Sequence, residues 1–281
     1  MMIVNAKSLS EAFDCLEQGY RPAAGCTNLF VDMHTGKKKP SRLVGISDIS
    51  ALKVFKAENG HLVIGAGLTF TEMEHLLSSY PPFRALQTAV SRIGSRQIRN
   101  RATLGGNIAD ASPAADSLPA LAALDADILL ISRKGTRRLP LTEIMIHVRQ
   151  TALAEDELIL AVRLPLRQWR SFFYKASPGR GATVSTVSLA FAVLESDGRI
   201  EDARLAFGSV APTVVRAAEC ESFLRGKVLA DKTMAEASFY VDRAISPISD
   251  VRGSERYRRL AARNIVAHAV RLLQTGGTDE W

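Results

Sequence analysis

Three cysteines in 281 residues is a sparse supply, and Cys15, Cys26 and Cys220 stand far apart. An odd, dispersed set argues against a disulfide framework and against a structural zinc site. It also falls short of the four thiolates that an iron–sulfur cluster normally takes. Any electron carrier that this chain holds alone would therefore be organic. Long hydrophobic runs are missing too: none approaches the roughly 20 apolar residues of a membrane-spanning helix. The first ten residues carry Asn5, Lys7 and Ser8 with no extended apolar core, and so do not read as a signal peptide. The expectation is a cytoplasmic protein without membrane insertion. Aromatic residues are only 6% of the chain. Few lie between the scattered basic residues, so the net charge of +7 comes without a surface for stacking bases. No nucleic-acid partner is expected; the excess charge suits solvated surface and contacts to an anionic ligand or partner. The histidines His34, His61, His75, His147 and His268 are dispersed, which points to no metal or catalytic centre.

What is present is a globular composition, 47% apolar and 23% charged, enough for a sizeable core in one large domain or two ordinary ones. Ser8-Leu9-Ser10-Glu11 has capping-box spacing, and Leu9, Ala12, Phe13 and Leu16 recur at helical intervals, predicting a helix that stops at Gly19. A short extended piece, a turn at Gly25 and a helix follow. Strands are predicted at 42–46, 54–57 and 62–64, the last two flanking the hairpin signal Asn59-Gly60. Thr69 and Glu72 repeat the capping-box spacing, and a helix is expected over 84–91. Residues 94–113 are punctuated by Gly and Asn without clean periodicity. A short apolar helix at 116–124 and strands at 128–132 and 158–164 complete this part. The pattern then changes: strands at 171–176, 184–194 and 200–207, with Asp197-Gly198 as a turn, precede helices at 216–224, 231–245 and 254–274. Strands first and helices afterwards predict helices layered on an antiparallel sheet, an α+β arrangement. The boundary is expected near 166–170.

Two stretches carry chemistry. In Ala24-Gly25-Cys26-Thr27-Asn28-Leu29, Gly25 can take positive φ and admit a ligand close to the backbone. The amides of Cys26, Thr27 and Asn28 would then sit at a helix start, where phosphate binds readily, with Thr27 and Asn28 adding side-chain hydrogen bonds. An ordinary strand–turn–helix connection is the alternative. The spacing is not that of a Rossmann fingerprint. The second stretch, residues 93–116, packs Gly105-Gly106, Thr103, Asn100, Asn107, Asp116 and several arginines into two dozen positions. So many polar groups cannot fill a core unless something satisfies them. The interleaved Ile98, Leu104, Ile108 and Ala111 argue against a merely solvated loop.

That second stretch resembles the flavin-binding signature of the medium subunits of molybdenum hydroxylases, the family of xanthine dehydrogenase and carbon monoxide dehydrogenase. Residues 24–29 resemble its first diphosphate loop. Gly65-Ala66-Gly67-Leu68-Thr69 resembles the segment after its first hairpin. Pro247-x-x-Asp250-x-Arg252-Gly253-Ser254-x-x-Tyr257-Arg258 resembles a signature of its C-terminal domain. The likeness covers nearly the whole chain in order. It implies a two-lobed FAD-binding domain of the PCMH or vanillyl-alcohol-oxidase type at 1–166, with lobes at about 1–52 and 53–166. A C-terminal domain of the carbon monoxide dehydrogenase flavoprotein type would follow at 170–281. It implies FAD as cofactor. Ala24, Gly25, Cys26, Thr27, Asn28 and Leu29 would wrap the diphosphate. Ile93 and Gly94 would lie against the adenosine or ribityl part. Thr103, Gly106, Asn107, Ala109 and Asp116 would complete the cleft. Tyr174 and Lys175 match an aromatic–lysine pair near the flavin end.

The family's scheme hydroxylates a substrate carbon with water at molybdenum and passes electrons through two iron–sulfur clusters to FAD and an external acceptor. The implied partners are a small [2Fe-2S] subunit and a large molybdopterin subunit, as a heterotrimer or its dimer. No acid, base or nucleophile is implied for this chain. Two positions depart from the pattern: Cys26 stands where a second glycine is usual, and an Arg-x-x-Asp pattern near residue 182 lacks its Asp. A stand-alone flavin oxidase of the same fold, and a cofactor-free scaffold subunit, are the alternatives.

Overall fold

The computed structural model describes residues 1–179 and 183–277. Residues 180–182, which open the Arg180-Gly181-Ala182-Thr183 stretch that lacks the expected Asp, lie outside the described residues, as do 278–281. Thr183, where that Asp would stand, lines the cleft between the two lobes.

The first lobe alternates strand and helix: β1 (Met2–Asn5), α1 (Leu9–Glu17), β2 (Arg21–Ala23), α2 (Thr27–His34) and β3 (Arg42–Gly45). Its parallel sheet has the order β1-β3-β2. Ser8 caps α1, its hydroxyl accepting from the Glu11 amide at 3.2 Å. Ala12, Phe13 and Leu16 pack under the sheet against Val44, Ile49 and Leu52. Because side chains alternate along a strand, Val44 faces α1 while Leu43 faces the other way, into a cleft.

The second lobe is an antiparallel sheet of order β4-β5-β10-β6-β7. Its strands are β4 (Phe55–Glu58), β5 (His61–Gly65), β6 (Asp127–Ser132), β7 (Gly135–Pro140) and β10 (Leu158–Pro165), with the small hairpin β8 (Met145–His147) and β9 (Gln150–Thr151) before the last. Asn59 and Gly60 both take positive φ, 48° and 72°, which a two-residue hairpin of this hand requires. Helices α3 (Phe70–Leu76), α4 (Arg84–Ser91), α5 (Arg96–Arg99), α6 (Leu104–Asp110), α7 (Ser117–Ala123) and α8 (Leu141–Ile144) belong to this lobe. Phe70, Met73, Leu86, Val90, Leu104, Ile108 and Leu121 join the sheet in one core.

The final sheet is antiparallel, β11 (Arg170–Ala176), β12 (Val187–Ser196), β13 (Arg199–Gly208) and β14 (Val215–Arg216) in that order. Its two faces have different partners. Phe173, Ala190, Ala192 and Ala206 pack into the core of the second lobe, on the side of α4 and α7. Phe172, Leu189, Phe191, Leu205 and Phe207 face α9 (Ala218–Leu224), α10 (Asp231–Ala237), α11 (Glu255–Ala267) and α12 (Ala269–Thr275). The register pairs Phe172 with Phe191 and Phe173 with Ala190, so each face is set by strand parity.

Several elements differ from the sequence expectation. Residues 94–113 hold two short helices, α5 and α6, rather than an irregular loop. They are too short for periodicity to show, and their caps, Ser95 and Thr103, define them instead. Strands β1 and β7 and the β8–β9 hairpin had no expected counterpart; β1 is a four-residue, largely apolar strand exposed along its length, too short to show a period, and β7 is mostly polar and exposed. The helix expected over 216–224 starts at Ala218, because Val215 and Arg216 join the sheet edge. That expected over 231–245 becomes α10 and a 3-10 turn (Ser238–Arg243), and that over 254–274 is divided at His268. The strand expected from 184 starts at Val187.

Candidate cofactor site

Between the two lobes lies a cleft of about 910 Å³. That is within the roughly 300–1,000 Å³ typical of ligand and cofactor sites. Thirteen of the fifteen expected site residues line it: Ala24, Gly25, Cys26, Thr27, Asn28, Leu29, Ile93, Gly94, Thr103, Gly106, Asn107, Ala109 and Asp116, whereas Tyr174 packs into the core on the α9–α12 face of its sheet. Lys175 stands behind the wall, its Nζ 2.9 Å from Asp116 Oδ2. So two stretches some eighty positions apart in sequence meet across one cavity.

Gly25 works differently from the expectation. It is absent from the positive-φ positions; the left-handed residue is Cys26, at φ 60°. Gly25 is required for close approach instead. A Cβ there would overlap the Arg101 carbonyl oxygen and lie 2.5 Å from its carbon. The glycine therefore lets the α2 turn dock on the residues leading into α6. Cys26 is the residue that bears the backbone strain, which costs an L-residue roughly 1–2 kcal/mol. Its thiol donates to Ala24 O at 3.4 Å. Burial pushes that thiol's pKa up, with Arg101 opposing, so Cys26 is a protonated donor and not a nucleophile.

The amides of Thr27, Asn28 and Leu29 find no acceptor among the described residues; the first amide of α2 with one is Phe30, which bonds Cys26 O at 3.0 Å. They line the cavity as unpaired donors at the positive end of a helix dipole. The start of α6 is the opposite case. Leu104 N donates to Leu68 O, Gly105 N to Ala66 O, Gly106 N to Thr103 Oγ1 and Asn107 N to Thr103 O, at 2.8–3.1 Å. The second stretch thus supplies shape: Gly105 presses on Ala66, where a Cβ would come within 2.7 Å, and Gly106 presents bare backbone. Asn28 also departs from the expectation. Its side-chain amide is engaged, Nδ2 donating to Asp110 Oδ2 at 2.7 Å. Of its donors, the backbone N–H is the one left without an acceptor among the described residues.

Asp116 closes the deep end. It is buried, and burial pushes its carboxyl up, opposed by Lys175 and by Ser185, whose hydroxyl donates to Oδ1. Lys175 spends its three protons on Arg92 O, Asp116 Oδ2 and Thr183 O, at 2.7, 2.9 and 3.1 Å. Its role is to hold Asp116 and the strand entry, not to reach into the cleft. Behind it, Arg258, 2% exposed, donates to Thr186 O, Ser209 O and Asp250 Oδ1 at 2.6–2.7 Å. The C-terminal signature is therefore a brace on the strand entry that positions Ser185. The lysines 37–39 and Arg21 form a basic rim that the motif reading left out, having counted Lys37–Lys39 only as scattered charge.

A cleft of this volume, lined by both polar and apolar residues, with orphan amides on one side and a glycine-bare wall on the other, fits a dinucleotide whose diphosphate meets α2. The chain matches the family described as FAD binding domain in molybdopterin dehydrogenase over residues 1–167, and the CO dehydrogenase flavoprotein C-terminal domain over 172–273. It is 31% identical to the glyceraldehyde dehydrogenase medium chain of Sulfolobus acidocaldarius, over 91% of this chain and 92% of that one. It is 29% identical to the carbon monoxide dehydrogenase medium chain of Hydrogenophaga pseudoflava, over 94% and 93%. Among solved structures, reconstituted CO dehydrogenase from Oligotropha carboxidovorans superposes with a TM-score of 0.92 at 26% identity, covering 98% of both chains. The chain belongs to the FAD-binding flavoprotein subunits of the molybdenum hydroxylase family of oxidoreductases.

Proposed function

We propose that this chain carries electrons within a multi-subunit molybdenum hydroxylase, taking them from iron–sulfur clusters on a small partner subunit and delivering them through FAD to an external acceptor. The large partner would hold molybdopterin, in a heterotrimer or its dimer. The relatives' names support this: they are medium chains and FAD subunits of dehydrogenases, and the chain spans nearly their full length. Bound FAD supplies the one- and two-electron chemistry. This chain's residues bind and orient it. The amides of Thr27, Asn28 and Leu29 meet the diphosphate, and the Thr27 hydroxyl adds a donor. Ala24, Gly25 and Cys26 shape the turn before them. Ile93 and Gly94 flank the adenosine or ribityl part. Thr103, Gly106, Asn107 and Ala109 form the opposite wall, and Asp116, held by Lys175, closes it. The FAD-binding part would end near 166 and the C-terminal part begin near 170.

The observation that carries the reading is the row of unpaired α2 amides lining the cleft. Purified chain incubated with FAD and desalted should retain a stoichiometric flavin absorbance. Added to reduced partner subunits, it should let an external acceptor be reduced. A chain that takes up no FAD after reconstitution sinks the reading.

A further inference from the structure

Arg149 lines no part of the cleft, yet it joins both of its sides. It sits in the β8–β9 turn with φ 56°, and its amide donates to Ala111 O at 3.0 Å, at the C-terminal end of α6. Its NH1 lies 3.1 and 2.8 Å from the two oxygens of Asp32, on α2. Its NH2 lies 3.8 Å from Asp110 Oδ1, on α6. Asp32 is 3% exposed, and Lys38 Nζ adds a second cation 3.4 Å from it. Burial pushes the Asp32 carboxyl up, but Arg149 and Lys38 outweigh it and hold the group below its ordinary range, hence ionised. Asp110 lines the cleft and grips Asn28, one of the three residues with free amides.

The cleft therefore presents a carboxylate beside the place where an anion would bind. An uncompensated negative charge there opposes a diphosphate at close range. We propose that Arg149 is a positioning residue for the cofactor: together with Lys38 it balances the charges of Asp32 and Asp110, keeping the α2 end of the cleft receptive to an anion, and it fixes α2 against α6. The inference rests on the reading that this cleft holds FAD. Arg149 acts through the two carboxylates and is not itself part of the cleft lining.

The test titrates FAD into the full chain by quenching of flavin fluorescence. Arg149→Met should weaken FAD binding about tenfold at low ionic strength, the scale of one unit charge acting through partly screened protein. The deficit should shrink at about 0.5 M salt. Arg149→Lys, which keeps the charge, should recover most of the affinity. The double variant Asp110→Asn, Arg149→Met should also recover it, because the repelling charge is gone. Asp110→Asn alone, whose amide oxygen can still accept from Asn28, should bind FAD more tightly than the parent at low ionic strength, a gain that about 0.5 M salt removes and that is readable even if Arg149→Met folds poorly. Unchanged affinity in folded Arg149→Met overturns the proposal. So does a deficit that salt and Asp110→Asn leave untouched, which would make Arg149 a mechanical strut only. So too does unchanged or weakened binding in Asp110→Asn alone. A parent chain that binds no FAD overturns the reading beneath the inference as well; a parent that binds FAD while the Arg149 variants match it overturns the inference alone.

Discussion

At the scale of single residues, Gly25 and Cys26 share one turn under opposite constraints. Gly25 is confined by contact with the Arg101 carbonyl, whereas Cys26 is confined by its left-handed backbone. Gly25→Ala must displace either the α2 turn or the residue 101 backbone. We expect a stability loss of about 1–3 kcal/mol, as for other overpacked sites, together with loss of FAD retention on desalting. Retained FAD at parental stability would contradict this geometry. Cys26→Gly removes the left-handed cost but adds chain entropy to the unfolded state, so urea denaturation should show stability equal to the parent or up to about 1 kcal/mol higher. Cys26→Val should be less stable by about 1–2 kcal/mol, because a β-branched side chain tolerates that backbone worst. The resemblance made Cys26 conspicuous, since a second glycine is usual there, but the sequence alone pointed to Gly25 as the left-handed position. Which of the two residues takes positive φ depends on Arg101, and no local pattern of 24–29 encodes a contact across some 75 positions.

At the scale of elements, legibility followed the strength of local signals. Helix α1 announces itself by Ser8 and its apolar spacing, and the β4–β5 hairpin by Asn59-Gly60. Helix α6 is seven residues long and was hidden, because its start is written in hydrogen bonds to Ala66 and Leu68 from another strand's exit. The signature at 247–258 was legible as a pattern but not as a brace. Its acid, Asp250, is bonded by the side chain and amide of Arg252 and by Arg258. Those contacts, Arg252 foremost and against the opposing effect of burial, hold the Asp250 carboxyl far below the ordinary carboxylate range. A depressed folded-state pKa means stability that is fully present above the unfolded value of about 3.9 and lost as pH falls through the folded value. The unfolding free-energy gap between the parent and Asp250→Asn should therefore be widest above about pH 5 and narrow below about pH 4. A gap that is constant with pH would show that Asp250 is not ionised in the brace. Arg258→Met takes a donor from the Thr186 and Ser209 carbonyls while Asp250 keeps Arg252, and should cost about 2–4 kcal/mol, on the order of 1–3 for each buried acceptor left unsatisfied. Circular dichroism with urea titration reads both effects.

At the scale of the whole molecule, the last sheet is common property. One face completes the core of the second lobe through Phe173, Ala190, Ala192 and Ala206, and the other is the floor for α9–α12. Strand β11 also delivers Lys175, which holds Asp116 across the chain. Removing the segment after 167 would bare the apolar surface over α4 and α7, and would leave Asp116 buried or exposed without its cation. Burial of such a face stabilises at about 25 cal/mol per Å², so the two halves should unfold together. Calorimetry of the full chain should give one transition, and FAD should raise it as a unit, since ligand that binds only the folded state adds RT ln(1 + [L]/Kd). Ala190→Asp, which puts a charge into the shared face without touching the cleft, should lower that same transition and weaken FAD retention with it. Two separate transitions, only one of them moved by FAD, would mean that the sheet is a passive neighbour. One coupled transition would tie the cleft to the far helices, which the Arg258 brace, the Ser185–Asp116 contact and the alternating side chains of a single sheet connect.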